Sequence, residues 1–395
     1  MENNDTKIIL EAKKVSKLYG LNKGDAIKLL QKGATKEEVL KKTGVSVALW
    51  DASFDVKEGE IFVLIGLSGS GKSTMVRCLN RLNKPSSGEI FFKGKKIQSF
   101  TKKELQDYRR NHIAMVFQSF GLMSHRDVLS NVVYGLEIKG VGKEEREEKA
   151  QEIIEMVGLS GFEHHPITSL SGGMSQRVGI ARALATDPEI LLMDEPFSAL
   201  DPLVRKEMQF ELLSIQKKLK KTVVFITHDI NEAFKLGDRV GIMKDGKIVQ
   251  IDSPEEMSTH PADSYVEDFI EGADKSQVLT VKNVMIKPRS LVKERDSLKT
   301  ALRQMRSNDV SSVYCVDNDM HFLGIVLIND VIQAMQENKA LKEIIISDIE
   351  TTSEDTAISE IIPIASETRY PIAVLDEEKK LKGLVSKATI LSSVH

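Results

Sequence analysis

The stretch Gly66-Leu67-Ser68-Gly69-Ser70-Gly71-Lys72-Ser73-Thr74 constrains this chain more than any other. Ahead of it lies Ile61-Phe62-Val63-Leu64-Ile65, an apolar run rich in β-branched residues and ended by glycine, which predicts a buried strand. Behind it, Met75-Val76-Arg77-Cys78-Leu79 has apolar spacing that suits a helix. A Gly/Ser-rich turn with a chance lysine would lack this flanking strand and helix. With them, the stretch has the context of a phosphate-binding loop. Gly66, Gly69 and Gly71 let backbone N–H groups, with those of Ser68 and Ser70, turn toward phosphate oxygens, and the helix N-terminus adds a favourable dipole. Lys72 is expected on the β- and γ-phosphates. The Ser73 hydroxyl is expected on Mg²⁺, with Thr74 beside it.

Three more apolar runs end on polar groups that suit the same chemistry. Ile190-Leu191-Leu192-Met193 leads into Asp194 and Glu195. A strand ending in Asp at the carboxyl edge of a parallel sheet is where Mg²⁺ is held beside a phosphate loop, so Asp194 is assigned there. Glu195, pointing the other way along the strand, is suited to polarise an attacking water. An Asp-Glu pair elsewhere would simply cap the next helix. Thr222-Val223-Val224-Phe225-Ile226-Thr227 ends on His228, and Ile113-Ala114-Met115-Val116-Phe117 ends on Gln118. A lone histidine at a strand end is usually structural; on the same sheet edge as Gln118 and Asp194, His228 is expected to face the γ-phosphate. His164 and His165 have no such context and read as surface residues.

The remaining segments divide the chain. Ile8 to Gly20 and Val45 to Phe54 read as strands, and between them Asp25 is expected to cap one short helix, closed by Gly33. Thr35-Lys36-Glu37-Glu38 has a capping-box pattern that opens a second helix, ended by Gly44. A mostly helical stretch spans Val128 to Val157, and Leu170-Ser171-Gly172-Gly173-Met174-Ser175-Gln176 precedes a helix expected over Arg177 to Thr186. Beyond Gly272 a duplication begins. Asp296 and Asp355, each read as capping a helix, Asp317 and Asp376 in turns, and Gly324 and Gly383 in strands all share an offset of 59 residues.

Composition sets the class. A length of 395 residues implies two or three domains, and a net charge of −3 gives no reason to expect a nucleic-acid partner. Cys78 and Cys315 are too few and too far apart for a disulfide framework, so both read as core residues in a reducing compartment. No apolar run approaches the ~20 residues of a spanning helix, so any membrane role would come through a partner.

Together, these motifs resemble the ATP-binding subunit of an ABC transporter, over about Ile8 to Phe269. The resemblance implies an α/β P-loop NTPase domain over residues 1–272, with a helical insert at 21–44 and a helical subdomain at about 119–188. It makes Gly66 to Thr74 the Walker A loop, Gln118 the Q-loop, which also reaches Mg²⁺, and Leu170 to Gln176 the signature. Asp194 and Glu195 become the Walker B end, Ser198 to Asp201 the D-loop and His228 the switch histidine. It further implies a head-to-tail dimer in which Ser171, Gly172, Gly173 and Asp201 of a second copy complete the ATP site. Tyr19, in Val15-Ser16-Lys17-Leu18-Tyr19-Gly20, is favoured over Trp50 for stacking on adenine.

The insert ending Lys41-Lys42-Thr43-Gly44, Leu67 beside Gly66, Met174 after the signature glycines and Phe117-Gln118-Ser119-Phe120 are similar to the glycine betaine/proline importer branch. This implies integral-membrane permease subunits as partners, an extracytoplasmic substrate-binding protein, and a peripheral position on the cytoplasmic face of the membrane. Carnitine, choline or an amino acid is the alternative solute, and a soluble non-transport ABC ATPase is the rival of another class. The duplicated tail resembles a tandem CBS pair with an α+β fold, repeats at 278–337 and 338–395. Asp330 matches the family's ribose contact in the first repeat, Thr389 stands there in the second, and Leu327 replaces the usual Thr or Ser. Regulation by ionic strength, anionic lipid or an adenine nucleotide such as cyclic di-AMP competes with a purely dimerising role. Lys282, Lys287, Arg289, Lys293, Arg295, Lys299, Arg303 and Arg306 form either a solvated face or a contact for anionic lipid.

Overall fold

A computed structural model describes residues 7–288 and 290–394, and Arg289 lies outside the described residues. The chain divides into two compact units, Met1–Ile270 and Glu271–His395. In the first, β1 (Ile8–Tyr19), β2 (Ser46–Lys57), β4 (Ser87–Phe92) and β5 (Lys95–Lys96) form one antiparallel sheet in the order β2-β1-β4-β5. The other sheet contains β3 (Ile61–Ile65), β6 (Ile113–Val116), β7 (Ile190–Asp194), β8 (Thr222–Thr227), β9 (Arg239–Lys244) and β10 (Lys247–Asp252). Its order is β10-β9-β3-β8-β7-β6.

Strands β3, β7 and β8 are buried at every residue, as parallel strands covered on both faces must be. Their pairing sets the site. Ile65 aligns with Thr227, Asp194 with Ile226 and Val116 with Met193, so β3, β6, β7 and β8 all end at one edge. One core cluster joins the two sheets, with Phe54 stacked on Phe62 at 5.1 Å. Cys78 belongs to that core, and burial pushes its thiol up to about 12.

The insert is a helical hairpin, Lys23–Gln31 and Lys36–Thr43, closed over Leu18, Ala26, Leu30, Val39, Val45 and Val47. The capping box forms: Glu38 N–H donates to Thr35 Oγ1 and Thr35 N–H to Glu38 Oε2, while Gly44 ends the helix at φ +70°. Asp25 does not cap the first helix. That helix starts two residues earlier at Lys23, leaving Asp25 in its first turn, 3.7 Å from Lys28. The signature helix also starts earlier than expected, at Gly172, and runs to Ala185. Two glycines read as loop, but the Ser171 hydroxyl accepts from the Met174 N–H and holds them in the first turn. With Val128–Lys139 and Lys143–Met156 it builds a helical layer beside β6.

The second unit repeats one pattern. Strands β11 (Leu291–Lys293), β12 (Ser312–Val316) and β13 (Phe322–Leu327) form one sheet, and β14 (Thr351–Ser353), β15 (Ile372–Leu375) and β16 (Leu381–Val385) form another. Cys315 faces Gly324 and Val374 faces Gly383, with an irregularity just after Cys315 and after Val374, so the 59-residue offset extends to the bulge. Ser297, not Asp296, caps Leu298–Ser307, while Asp296 accepts from the Lys293 N–H. Asp355 is likewise not a cap; Ala357 precedes Ile358–Glu367. The repeats exchange their leading segments: Leu279, Val281 and Val284 join the core of the second, and Leu341 joins the first. Cys315 is buried there, its thiol pushed up to about 11.

Candidate active site

The loop after β3 is held by two close backbone approaches. A Cβ on Gly66 would lie 2.2 Å from the Met243 carbonyl oxygen, and one on Gly71, at φ +107°, 2.5 Å from that of Ala48. Only glycine fits either place. Gly71 turns the chain into the helix Lys72–Leu79, whose Met75 N–H donates to the Gly71 carbonyl. Lys72 is buried, and its Nζ donates to the carbonyls of Gly66 at 2.7 Å and Leu67 at 3.2 Å. Burial draws its ammonium below the ordinary lysine range, while the Glu195 and Asp194 carboxylates pull it back. Leu67, Ser68 and Gly69 are exposed, and Ser73 and Thr74 are half-buried in the first helical turn.

Asp194 at the end of β7 is 1% exposed. One carboxylate oxygen accepts from Arg77 Nη2 at 3.1 Å, and Oδ1 has no hydrogen-bond partner among the described residues. A buried carboxylate with one oxygen unmatched fits a hard cation, which favours oxygen ligands such as Ser73 Oγ and the Gln118 amide. Arg77 went unnoticed in the sequence. Nothing local to it signals a partner 117 residues away.

Glu195 leaves the strand in the left-handed conformation, φ +46°, its N–H still donating to the Ile226 carbonyl at 3.1 Å. Its Oε2 lies 3.4 Å from Gln118 Nε2 and 3.3 Å from His228 Nδ1. Thus Gln118, Glu195 and His228, from three strand ends, converge on one oxygen. Gln118 Nε2 also lies 3.5 Å from Ser198 Oγ, at the start of the stretch expected to be the D-loop.

Other site residues lie apart. Gly172 and Gly173 have Ala199, Leu200 and Val204 as neighbours, and among the described residues no hydrogen bond or ion pair joins Ser171–Gly173 to the loop after β3. Asp201 caps the helix Pro202–Leu219, its Oδ1 accepting from the N–H groups of Leu203 and Val204 at 3.1 Å. Tyr19 is 43% exposed at the end of β1, its hydroxyl accepting from Asn83 Nδ2 at 3.2 Å. Trp50 instead packs on the insert's core and lines a cavity of about 560 Å³ with Thr35, Lys36 and Asp245.

In the second unit, Asp330 is half-buried in the first turn of Ile328–Glu337. Thr389 is occupied with Ser386, each side-chain oxygen accepting the other's N–H at 2.9 and 3.2 Å. A cavity of about 820 Å³ is lined by Arg295, Lys299, Lys339 and Lys342 and by the carboxylates of Glu294 and Asp296, but not by Asp330.

Comparison with known proteins adds the following. The sequence profile of the ABC transporter family matches residues 49–198, and that of the CBS domain matches 281–337 and 341–395. The chain is 49% identical to a glycine betaine/carnitine transport ATP-binding protein of Listeria monocytogenes, over 98% of this chain and 97% of that one. It is 46% identical to a glycine betaine transport ATP-binding protein of Bacillus subtilis, over 100% of this chain and 94% of the relative. Identity is 42% to a glycine betaine/proline betaine counterpart of Salmonella typhimurium, over 98% of each. Among solved structures, a dimeric ATP-binding cassette bound to ADP and Pi matches 62% of this chain and 99% of its own, with TM-score 0.53 and 34% identity.

Proposed function

The chain belongs to the ABC transporter family, as an ATP-binding subunit with C-terminal CBS repeats, and from that premise we propose that it powers import of glycine betaine/proline-type osmoprotectants. It is an ATPase coupled to transport. One observation carries the hydrolytic reading: the Glu195 carboxylate held between Gln118 and His228, beside an Asp194 with an unmatched oxygen.

Lys72 neutralises charge on the β- and γ-phosphates, exchanging its two carbonyl partners for phosphate oxygens. Ser73, Asp194 and Gln118 are the residues that would hold Mg²⁺, which supplies charge neutralisation along the phosphates. Glu195 Oε2 takes a proton from the attacking water as its oxygen bonds to the γ-phosphorus and the bond to ADP breaks. His228 steadies that water and the γ-phosphate. Tyr19 stacks on adenine, a reading supported by its exposure against the insert-packed Trp50.

Ser171, Gly172, Gly173 and Asp201 serve a second copy. The N–H groups of that 14-residue helix's first turn make an anion site, and among the described residues no carboxylate is hydrogen-bonded to them. The dimeric cassette supports this arrangement. The similarity to transport ATP-binding proteins supports a peripheral position at the cytoplasmic face through permease subunits, with an external binding protein choosing the solute. At the tail, the mixed-charge cavity lined by Arg295, Lys299, Lys339 and Lys342 together with Glu294 and Asp296 supports regulation by ionic strength, with anionic lipid or an adenine nucleotide such as cyclic di-AMP as the other signals and Asp330 kept as a ribose contact. The test of the solute is uptake of labelled glycine betaine, proline, carnitine and choline by cells lacking and regaining this chain. Restored uptake of glycine betaine supports the reading, and restoration of carnitine or choline uptake alone overturns it.

A further inference from the structure

Between the loop Ser198–Asp201 and the strand end that carries His228 lies a cluster of polar groups with no part in the chemistry described so far. Arg205, on the helix Pro202–Leu219, donates from Nη2 to the Leu200 carbonyl at 3.0 Å. Its Nη1 lies 4.0 Å from Asp229 Oδ2, and its Nε 3.8 Å from Glu232 Oε1. Glu232, on the helix Ile230–Leu236, is buried. Its Oε2 accepts from Thr227 Oγ1 at 2.6 Å and its Oε1 from Gln209 Nε2 at 3.2 Å. Thr227 is the last residue of β8, next to His228, and its hydroxyl oxygen also accepts from the Asp229 N–H at 3.0 Å.

The spacing of Arg205 is informative. A guanidinium beside a buried carboxylate ordinarily closes to a bidentate pair near 2.8 Å. Here it stands about 1 Å farther off, leaves its buried Nε without a hydrogen bond, and uses Nη2 on a loop carbonyl instead. At the other end of the same loop, Ser198 donates from N and Oγ to the Glu195 carbonyl at 3.3 and 3.0 Å. The loop is therefore tied at Ser198 to Glu195 and at Leu200, through Arg205, Glu232 and Thr227, to His228.

We infer that Arg205 and Glu232 are positioning residues that hold the Ser198–Asp201 loop in register with Glu195 and His228, so that they govern hydrolysis rather than ATP binding. This rests on the hydrolytic reading given above. An ammonium cannot span one carbonyl and two carboxylates as a guanidinium does. In full-length Arg205→Lys, kcat for ATP hydrolysis per bound nucleotide is expected to fall at least about tenfold, since a 1 Å displacement of a catalytic group has costs of that order. KM for ATP and the stoichiometry of bound ATP stay at parental values. Glu195→Gln, alone and combined with Arg205→Lys, should trap an ATP-bound dimer equally well by size-exclusion chromatography. If Arg205→Lys turns over ATP like the parent, or loses rate only in proportion to ATP bound, the positioning role is wrong. If Glu195→Gln alone lowers the rate by less than about tenfold, the hydrolytic reading fails instead. Should Arg205→Lys fold poorly, Thr227→Val, which cuts the same link at Glu232, carries the same expectation.

Discussion

At the scale of single residues, Glu195 stands at a bend that costs energy. A non-glycine residue in the left-handed region is disfavoured by about 1 kcal/mol or more, and here that conformation turns the carboxylate toward Gln118 and His228. Glu195→Gln preserves shape and removes the base. Phosphate release is expected to fall at least about 100-fold, with ATP binding retained. A fall of less than tenfold would remove Glu195 from that role. Glu232 makes a separate statement about pH. Burial raises its carboxyl above the ordinary range, against the Thr227 hydrogen bond and Arg205, with Asp229 adding to the rise. Its folded form therefore holds a proton more tightly than the unfolded chain does. The stability this contributes is complete below the ordinary glutamate pKa and is lost as pH rises through the raised folded value. Glu232→Gln should flatten the dependence of Tm on pH above the ordinary glutamate range; parallel profiles for the two proteins would contradict this.

At the scale of elements, the strand ends converge because β3, β7 and β8 are parallel and aligned, with Ile65, Asp194 and Thr227 at one edge. The loop after β3 depends on backbone contact with β2. Gly71→Ala would force a Cβ into the Ala48 carbonyl at a positive φ, so loss of ATP binding together with a lower Tm is expected. Nucleotide fluorescence and thermal unfolding check both, and an unaltered affinity would mean that β2 yields there. The insert's hairpin is visible in its residues because its capping box and terminal glycine are local devices. Where it begins was less visible: Lys23 and Gly24 carry no start signal, yet the helix reaches them before Asp25.

For the molecule as a whole, each unit has its own core, one joining the two sheets of the first and others closing the repeats of the second. A chain ended after residue 272 is therefore expected to fold and to hydrolyse ATP within about threefold of the full chain. In cells, uptake through that truncated subunit should lose its response to salt or nucleotide. A response equal to that of the full chain would take regulation away from the tail. In the second unit the repeats are mutually dependent, because each lends its opening segment to the other's core.

The sequence by itself determined the motifs and the duplication. Glycine spacing around Lys72, apolar runs ending on Asp194 and His228, and the 59-residue offset are all carried by neighbouring residues or by repetition. Only the tertiary structure decided which groups meet. Arg77 on Asp194, Gln118 and His228 on one oxygen of Glu195, Arg205 on Leu200, and Trp50 against the insert depend on strand order and packing. Periodicity reports which face of an element is buried and is silent about its neighbour. The same limit explains Asp25 and Asp296, since a cap is chosen by where tertiary contacts let a helix start, and several side chains near that point could fill the role.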